Sequence, residues 1–220
     1  MPSSTVEDYA KAISLLQEES PTGEATVARL AATLGVTKGS VTAMVRKLRD
    51  AGLARAPRYG GITLTARGQR LATDVVRRHR LLEVFLVEKL GLDWAEVHDE
   101  AERLEHAVSA KVLDRLDAFL GYPSSDPHGD PIPGADGQTE PEGGVPLSSF
   151  DAGEKGVISR VADQAAEFLA FAADKGFRPG VRFTVVDRVE PAGSMTVRPS
   201  RRSPVMLSLD AASKVLAERR

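Results

Sequence analysis

The sequence predicts a mainly α-helical chain with small β parts: an N-terminal winged helix-turn-helix, a helical middle, and a terminal β-barrel of SH3-like size. Three observations predict it. Apolar residues recur at helical spacing over most of the first 121 positions. A Pro-, Gly- and Asp-rich stretch from Tyr122 to Pro146 then breaks the pattern. Beyond it, short apolar runs separated by turns read as strands. The expected organisation is a winged helix over 1–65, a helical domain over 66–121, a flexible linker over 122–149 and an SH3-like domain over 150–220.

The first helix is expected from Thr5 to about Glu19, because Val6, Tyr9, Ala12, Ile13 and Leu16 share one face. Pro21 and Gly23 end it. Val27, Leu30, Ala31 and Leu34 mark a second helix closed by Gly35. Thr37 offers an N-cap for a third, whose stripe is Val41, Met44, Val45 and Leu48 and whose stop is Gly52. Two short helices around a Gly-containing turn are a helix-turn-helix pattern. Leu53–Pro57 and Ile62–Thr65 then read as a hairpin wing around Tyr59, Gly60 and Gly61. A long helix is expected from Ala66 to about Leu90, broken by Gly91, followed by two more, the last capped by Ser109. Past the linker, GVISRVA, VRFTVVDRVE, SMTVRP and PVMLSLD read as strands, with a helix around 166–175 between the first two.

Composition narrows the function classes. The chain has 220 residues, 42% of them hydrophobic, and a net charge of −2, so any nucleic-acid surface must be local. Cysteine is absent, which removes disulfides, thiolate metal sites and cysteine nucleophiles and is compatible with a reducing cytoplasm. The N-terminal residues show no signal-peptide pattern, and no stretch approaches the ~20 apolar residues of a membrane span.

Charge is concentrated where the winged helix is expected. Between Arg29 and Arg58 the charged residues are Arg29, Lys38, Arg46, Lys47, Arg49, Asp50, Arg55 and Arg58, and all but Asp50 are basic. Such a run neutralises phosphates and releases counterions. Thr37, Ser40 and Thr42 place short hydroxyls near the start of the third helix, and Gly39 and Ala43 keep its surface low enough for a major groove. The bland alternative is a solvated helix face beside an ordinary turn. The residues expected to meet DNA are Thr37, Lys38, Ser40, Thr42, Ala43, Arg46, Lys47, Arg58 and Tyr59.

A second constellation points to metal. His98, Glu102, Glu105 and His106 fall within one sector of a helix, and His79 and Glu83 are one turn apart on the long helix. Imidazole with carboxylate suits first-row divalent ions, and an oxygen-rich set leans to manganese. Surface salt bridges produce the same spacing, so two such sets on neighbouring helices count for more than one. His128, in the linker, is read as structural or solvated. HDEAERLEH lacks the two histidines four apart of a metalloprotease, and no phosphate loop or nucleophile motif occurs, so no catalytic residues are expected. A regulator with an organic effector and a metal-storage or hydrolase protein are the competing readings.

With VEDYAKAI, YGGITLTARG, RRHRLLEVFL, VHDEAERLEHAVS and DPHGDPIPG the chain resembles, over nearly its whole length, the diphtheria-toxin-repressor family of iron- and manganese-dependent regulators. The resemblance implies a homodimer on palindromic operator DNA, dimerisation and metal binding by the central helices, and repression of metal-uptake genes. It implies a primary metal site of Asp8, Glu102, Glu105 and His106. It implies an ancillary site of His79, Glu83 and His98, completed around Asp163, Gln164 and Glu167, hence two ions per subunit. Iron-type members carry methionine and cysteine where Asp8 and Glu102 stand. Carboxylates at both places favour Mn2+, with Fe2+ the alternative. The compact manganese regulators have a glutamate where this chain has Lys11, so their binuclear arrangement is not expected.

The basic run makes a prediction of its own. Lys47→Ala should weaken binding to any duplex and lower the salt slope by about one, because a single phosphate contact is lost. An unchanged non-specific affinity and slope, measured by fluorescence anisotropy across a salt series, would contradict phosphate contact at Lys47.

Overall fold

A computed structural model describes residues 3–58, 60–139 and 143–220, and the chain divides into two compact units. The first holds the residues up to His79 together with 133–138; the second holds 80–132 and the residues from 139 onward.

In the first unit α1 (Ser4–Glu18), α2 (Val27–Thr33) and α3 (Lys38–Asp50) form the expected trio. The Thr26 hydroxyl accepts from the Arg29 N–H at 3.2 Å, and that of Thr37 accepts from the Ser40 N–H at 3.1 Å. Each thus satisfies a donor that a helix start leaves open. Leu30, Val41 and Leu48 are fully buried with Ile13 of α1. At about 1.5–3 kcal/mol for each such side chain, this cluster fixes the orientation of α3. The wing is β1 (Ala54–Arg55) and β2 (Thr63–Leu64), antiparallel with Ala54 opposite Leu64, and Ala25 bridges to Ile62 beside it. The long helix α4 (Ala66–Glu88) starts against the wing. A Cβ on Gly68 would lie 2.0 Å from the Leu53 carbonyl oxygen, so only glycine permits this approach.

The second unit begins within α4. Leu82 and Leu86 pack on Val97 and Ala101 of α5 (Val97–Glu105), and Leu81 and Val84 pack on Ile132 and on Leu113 of α6 (Ala110–Leu120). The remaining elements are β3 (Val145–Pro146), β4 (Lys155–Val161), α7 (Ala166–Lys175), β5 (Arg182–Val189), β6 (Ser194–Pro199), β7 (Val205–Ser208), α8 (Leu209–Ser213) and β8 (Val215–Arg219). They form one antiparallel sheet in the order β3-β8-β4-β5-β6-β7, closed over by Leu169, Ala172 and Phe177. The last strand, not foreseen from the sequence, lies inside the sheet between β3 and β4. Its run VLAER is only five residues long, and its partners are distant in sequence.

Part of the stretch read as a flexible linker is a folded loop. Ser125 bridges to Pro131, and Ile132 N–H donates to Ser124 O at 2.8 Å. The Asp126 carboxylate accepts from the backbone N–H of His128 at 2.8 Å and of Asp130 at 2.9 Å. Trp94 Nε1 donates to Pro127 O at 2.7 Å, and Val161 N–H donates to His128 O at 2.9 Å. Hydrogen bonds rather than apolar burial hold this loop, which is why a composition argument reads it as tether. Arg80, on α4, donates to Pro131 O at 2.5 Å.

Gly129 makes the loop testable. Its φ is +93°, and a Cβ there would sit 2.1 Å from the Ser159 carbonyl oxygen. Gly129→Ala should lower the unfolding free energy by about 1–3 kcal/mol or more, read by thermal melting. An unchanged melt would show that the loop is not seated on β4.

Candidate metal centre and nucleic-acid face

Glu83 of α4 is 0% exposed. A buried carboxylate costs several kcal/mol unless charge and hydrogen bonds compensate, so its neighbours matter. Oε1 lies 3.2 Å from His98 Nδ1, and Oε2 lies 3.8 Å from His128 Nδ1. The Asp126 Oδ1 atom is 4.0 Å from the same His128 nitrogen. His128 is itself fully buried, and its Nε2 donates to the Trp94 carbonyl at 2.9 Å, with the two rings 4.9 Å apart. A carbonyl only accepts, so Nε2 carries a proton, and Nδ1 is the nitrogen turned toward Glu83 and Asp126. Such fixing of the far nitrogen is how a protein orients an imidazole ligand.

One ligand atom each from Glu83, Asp126 and His128 lies within 4.8 Å of the others, and all three residues are buried. Two hard oxygens and one imidazole, with no sulfur, fit a first-row divalent ion. The electrostatics agree. Burial alone would lower the His128 pKa, but Glu83 and then Asp126 overcome it and hold it at about 9. Burial, with the charges of Asp130 and Glu83, pushes Asp126 up to about 8, against the pull of His128 and Arg80. Around neutral pH the cluster therefore retains protons, the ones a divalent ion would replace, so metal uptake and proton release are linked. Arg160 at 2.6 Å and Arg80 at 3.7 Å neutralise Asp130 behind it.

The other sequence-predicted ligands fall as follows. His98 is half-buried, with Glu102 3.9 Å from its Nε2. Glu102 itself is exposed and belongs to no three-ligand cluster among the described residues. Glu105 is buried beside His106, which caps α5, and their side chains approach to 3.6 Å. Asp8 is half-buried on α1. His79 is buried one turn before Glu83 on α4 and lies 3.0 Å from Lys11 Nζ. Of the residues expected to complete the ancillary site, Asp163 and Glu167 enter no three-ligand His/Asp/Glu cluster among the described residues. Asp163 is held 2.9 Å from Lys214, Gln164 donates to Asp130, and Glu167 is exposed on α7. Gln164 and His98 do line one cleft of about 400 Å3 with Asp99, Glu100 and Arg103. Asp126 and His128 are not among the candidate ligands that the sequence singles out. The signal was DPHGD itself, a histidine between two aspartates, set aside because proline and glycine around it read as tether.

The nucleic-acid face is simpler. Thr37, Lys38, Ser40, Thr42, Ala43, Arg46 and Lys47 are all exposed, while Val41, Val45 and Leu48 hold the opposite side of α3. Arg58 is exposed in the wing; Tyr59 lies outside the described residues.

A winged helix with a basic reading face, in a chain that also carries sulfur-free imidazole–carboxylate sets, defines the class of metal-responsive DNA-binding regulators. Comparison with known proteins makes this specific. Residues 1–62 match the model of the iron dependent repressor N-terminal DNA binding domain, and residues 65–134 that of its metal binding and dimerisation domain. Residues 145–219 match the FeoA domain. The iron-dependent repressor IdeR of Mycobacterium tuberculosis is 35% identical over 207 residues, covering 88% of this chain and 87% of that protein. The regulator MntR of Shouchella clausii is 37% identical over 56% of this chain and 83% of its own. A solved manganese-dependent transcriptional repressor in complex with manganese superimposes with a TM-score of 0.89 at 40% identity, over 98% of this chain and all of that one. The chain belongs to the diphtheria-toxin-repressor family of metal-dependent transcriptional regulators.

The raised pKa values set a pH dependence for the metal-free protein. His128 goes from 6.5 to about 9, so its contribution is complete below 6.5 and is lost as pH rises through 9. Asp126, raised from 3.8 to about 8, acts in the same direction over its own window. Melting temperature should therefore fall between pH 6.5 and 9, and His128→Gln should flatten that fall. A wild-type profile flat over this range would contradict the cluster's electrostatics.

Proposed function

We propose that this chain is a manganese-dependent repressor that binds a palindromic operator as a homodimer in the cytoplasm and controls metal-uptake genes. One observation carries the reading: a basic, exposed recognition helix occurs in the same chain as a buried cluster of hard oxygen and imidazole ligands with no sulfur. Manganese, a hard ion that accepts six or more ligands, suits such a set; its low place in the affinity series makes geometry the basis of selection. The metal-dependent relatives named above support it, both manganese and iron types. Among the described residues no helix is long and apolar enough to cross a membrane.

Two ions per subunit fit the ligand supply. One set is Glu105 and His106, with Glu102 and with Asp8 from α1. The other centres on Glu83 with His98 and His79, and we assign its completion to Asp126 and His128 rather than to Asp163 and Gln164, which take protein partners, or to Glu167, which is exposed on α7. Bound metal supplies positive charge that holds these carboxylates together. Asp8 is the residue through which occupancy reaches the DNA-binding helices, and by reciprocity operator DNA should tighten metal binding.

A palindromic duplex selected from a random library by the manganese-loaded protein provides the test. Affinity should fall at least about fivefold, the low end of ordinary allosteric coupling, when chelator is added and recover with Mn2+. Equal affinity in chelator and manganese would refute metal dependence, and fuller activation by Fe2+ at matched occupancy would assign the chain to iron.

The dimer surface is also specific. Val112 and Phe119 are 55% and 66% exposed on α6, seven residues apart and so on one face, with Tyr122 at 71% just beyond. Exposed apolar residues so grouped mark an interface. Val112→Asp with Phe119→Asp should give a monomer in sedimentation, with the operator affinity of a single half-site. A dimer of unchanged strength would place the interface elsewhere.

A further inference from the structure

Lys11 is a charged side chain only 8% exposed, and its ammonium lies 3.0 Å from Nδ1 of His79, which is 4% exposed. An ammonium has donors and no acceptor, so Nδ1 must offer its lone pair to Lys11. The neutral ring then keeps its proton on Nε2. Metal ligation needs a bare lone pair on one of these nitrogens. If it is Nδ1, the lone pair is the one Lys11 occupies. If it is Nε2, its proton must move to Nδ1, where an N–H would face the N–H groups of Lys11. Either route breaks the Lys11–His79 contact.

We propose that Lys11 is a displaceable latch on His79, a cation built into α1 that a metal ion must expel before His79 can ligate, and that it thereby sets the metal concentration at which this site fills. The proposal rests on the reading of His79 as a metal ligand. The surroundings suit a local latch rather than a moving helix. One turn before Lys11 on α1, Glu7 pairs with Arg78 at 3.2 Å; one turn after, Ser14 accepts from Gln69 at 2.8 Å. These contacts hold α1 along α4 whether or not Lys11 stays on His79. The four-carbon stem of lysine can carry its charge away while the backbone remains in place. Lys11 also stands one turn from Asp8, so release occurs on the helix that supplies the other site.

The test uses the full chain as wild type, Lys11→Met, His79→Gln and the double variant. Nitrogen-15 NMR of the metal-free wild type should show His79 protonated on Nε2; a ring protonated on Nδ1 would overturn the latch without any variant. Mn2+ affinity is then read by competition with a fluorescent chelator. Lys11→Met should tighten the His79-dependent binding by about 10- to 100-fold, the usual range for groups behind a ligand. The double variant should lose that gain, and Lys11→Arg, which keeps the charge, should stay near wild type. If His79→Gln weakens binding but Lys11→Met does not tighten it, the latch is wrong and the ligand reading stands. If His79→Gln changes nothing in either background, the ligand reading fails and the latch with it.

Discussion

The burial of the Glu83 carboxylate is the constraint on which the rest of the second unit depends. A charge at 0% exposure demands compensation, and the chain provides imidazoles on both sides of it, His98 from α5 and His128 from the loop before the sheet. Holding His128 there takes Trp94, which accepts from its ring and donates to the neighbouring Pro127 carbonyl. Holding the loop takes Asp126 as an acceptor for two backbone N–H groups, and Gly129 to pass beneath Ser159. In this way one buried carboxylate on α4 accounts for the order of a segment that has little apolar material of its own.

The first unit obeys a different economy. Its helices are fixed by apolar burial and two threonine caps, and its charges are left on the outside of α3. That division suits the two tasks. Phosphate recognition needs positive charge that water and counterions can leave. Metal recognition needs ligands already held in position, because selection among divalent ions rests on ligand type and geometry. Lys11 of α1 and His79 of α4 place one buried cation–imidazole contact within this unit as well.

Legibility in the sequence followed the kind of force at work. Where apolar burial dominates, as in α1 to α6, the period of the hydrophobic residues and the caps at Thr37 and Ser109 located the elements to within a few residues. The helix at 166–175 and strands β4 to β7 were readable for the same reason. The strand β8 was not, since VLAER gains its place from partners on β3 and β4 rather than from its own pattern. The Asp126–Asp130 loop was misread because its stability comes from side-chain to backbone hydrogen bonds, which composition does not register. Likewise Asp163 and Gln164 are engaged by Lys214 and Asp130, and only geometry reveals that.

The central claim is that the Glu83–Asp126–His128 cluster holds an ion when the protein is active. Anomalous diffraction from crystals grown with Mn2+ and collected at the manganese edge measures this most directly. The account predicts a peak about 2.0–2.3 Å from a Glu83 oxygen and from His128 Nδ1, the range of oxygen and imidazole bonds to divalent metals. Manganese found only elsewhere in the chain, with no anomalous peak beside Glu83 and His128 Nδ1, would contradict it.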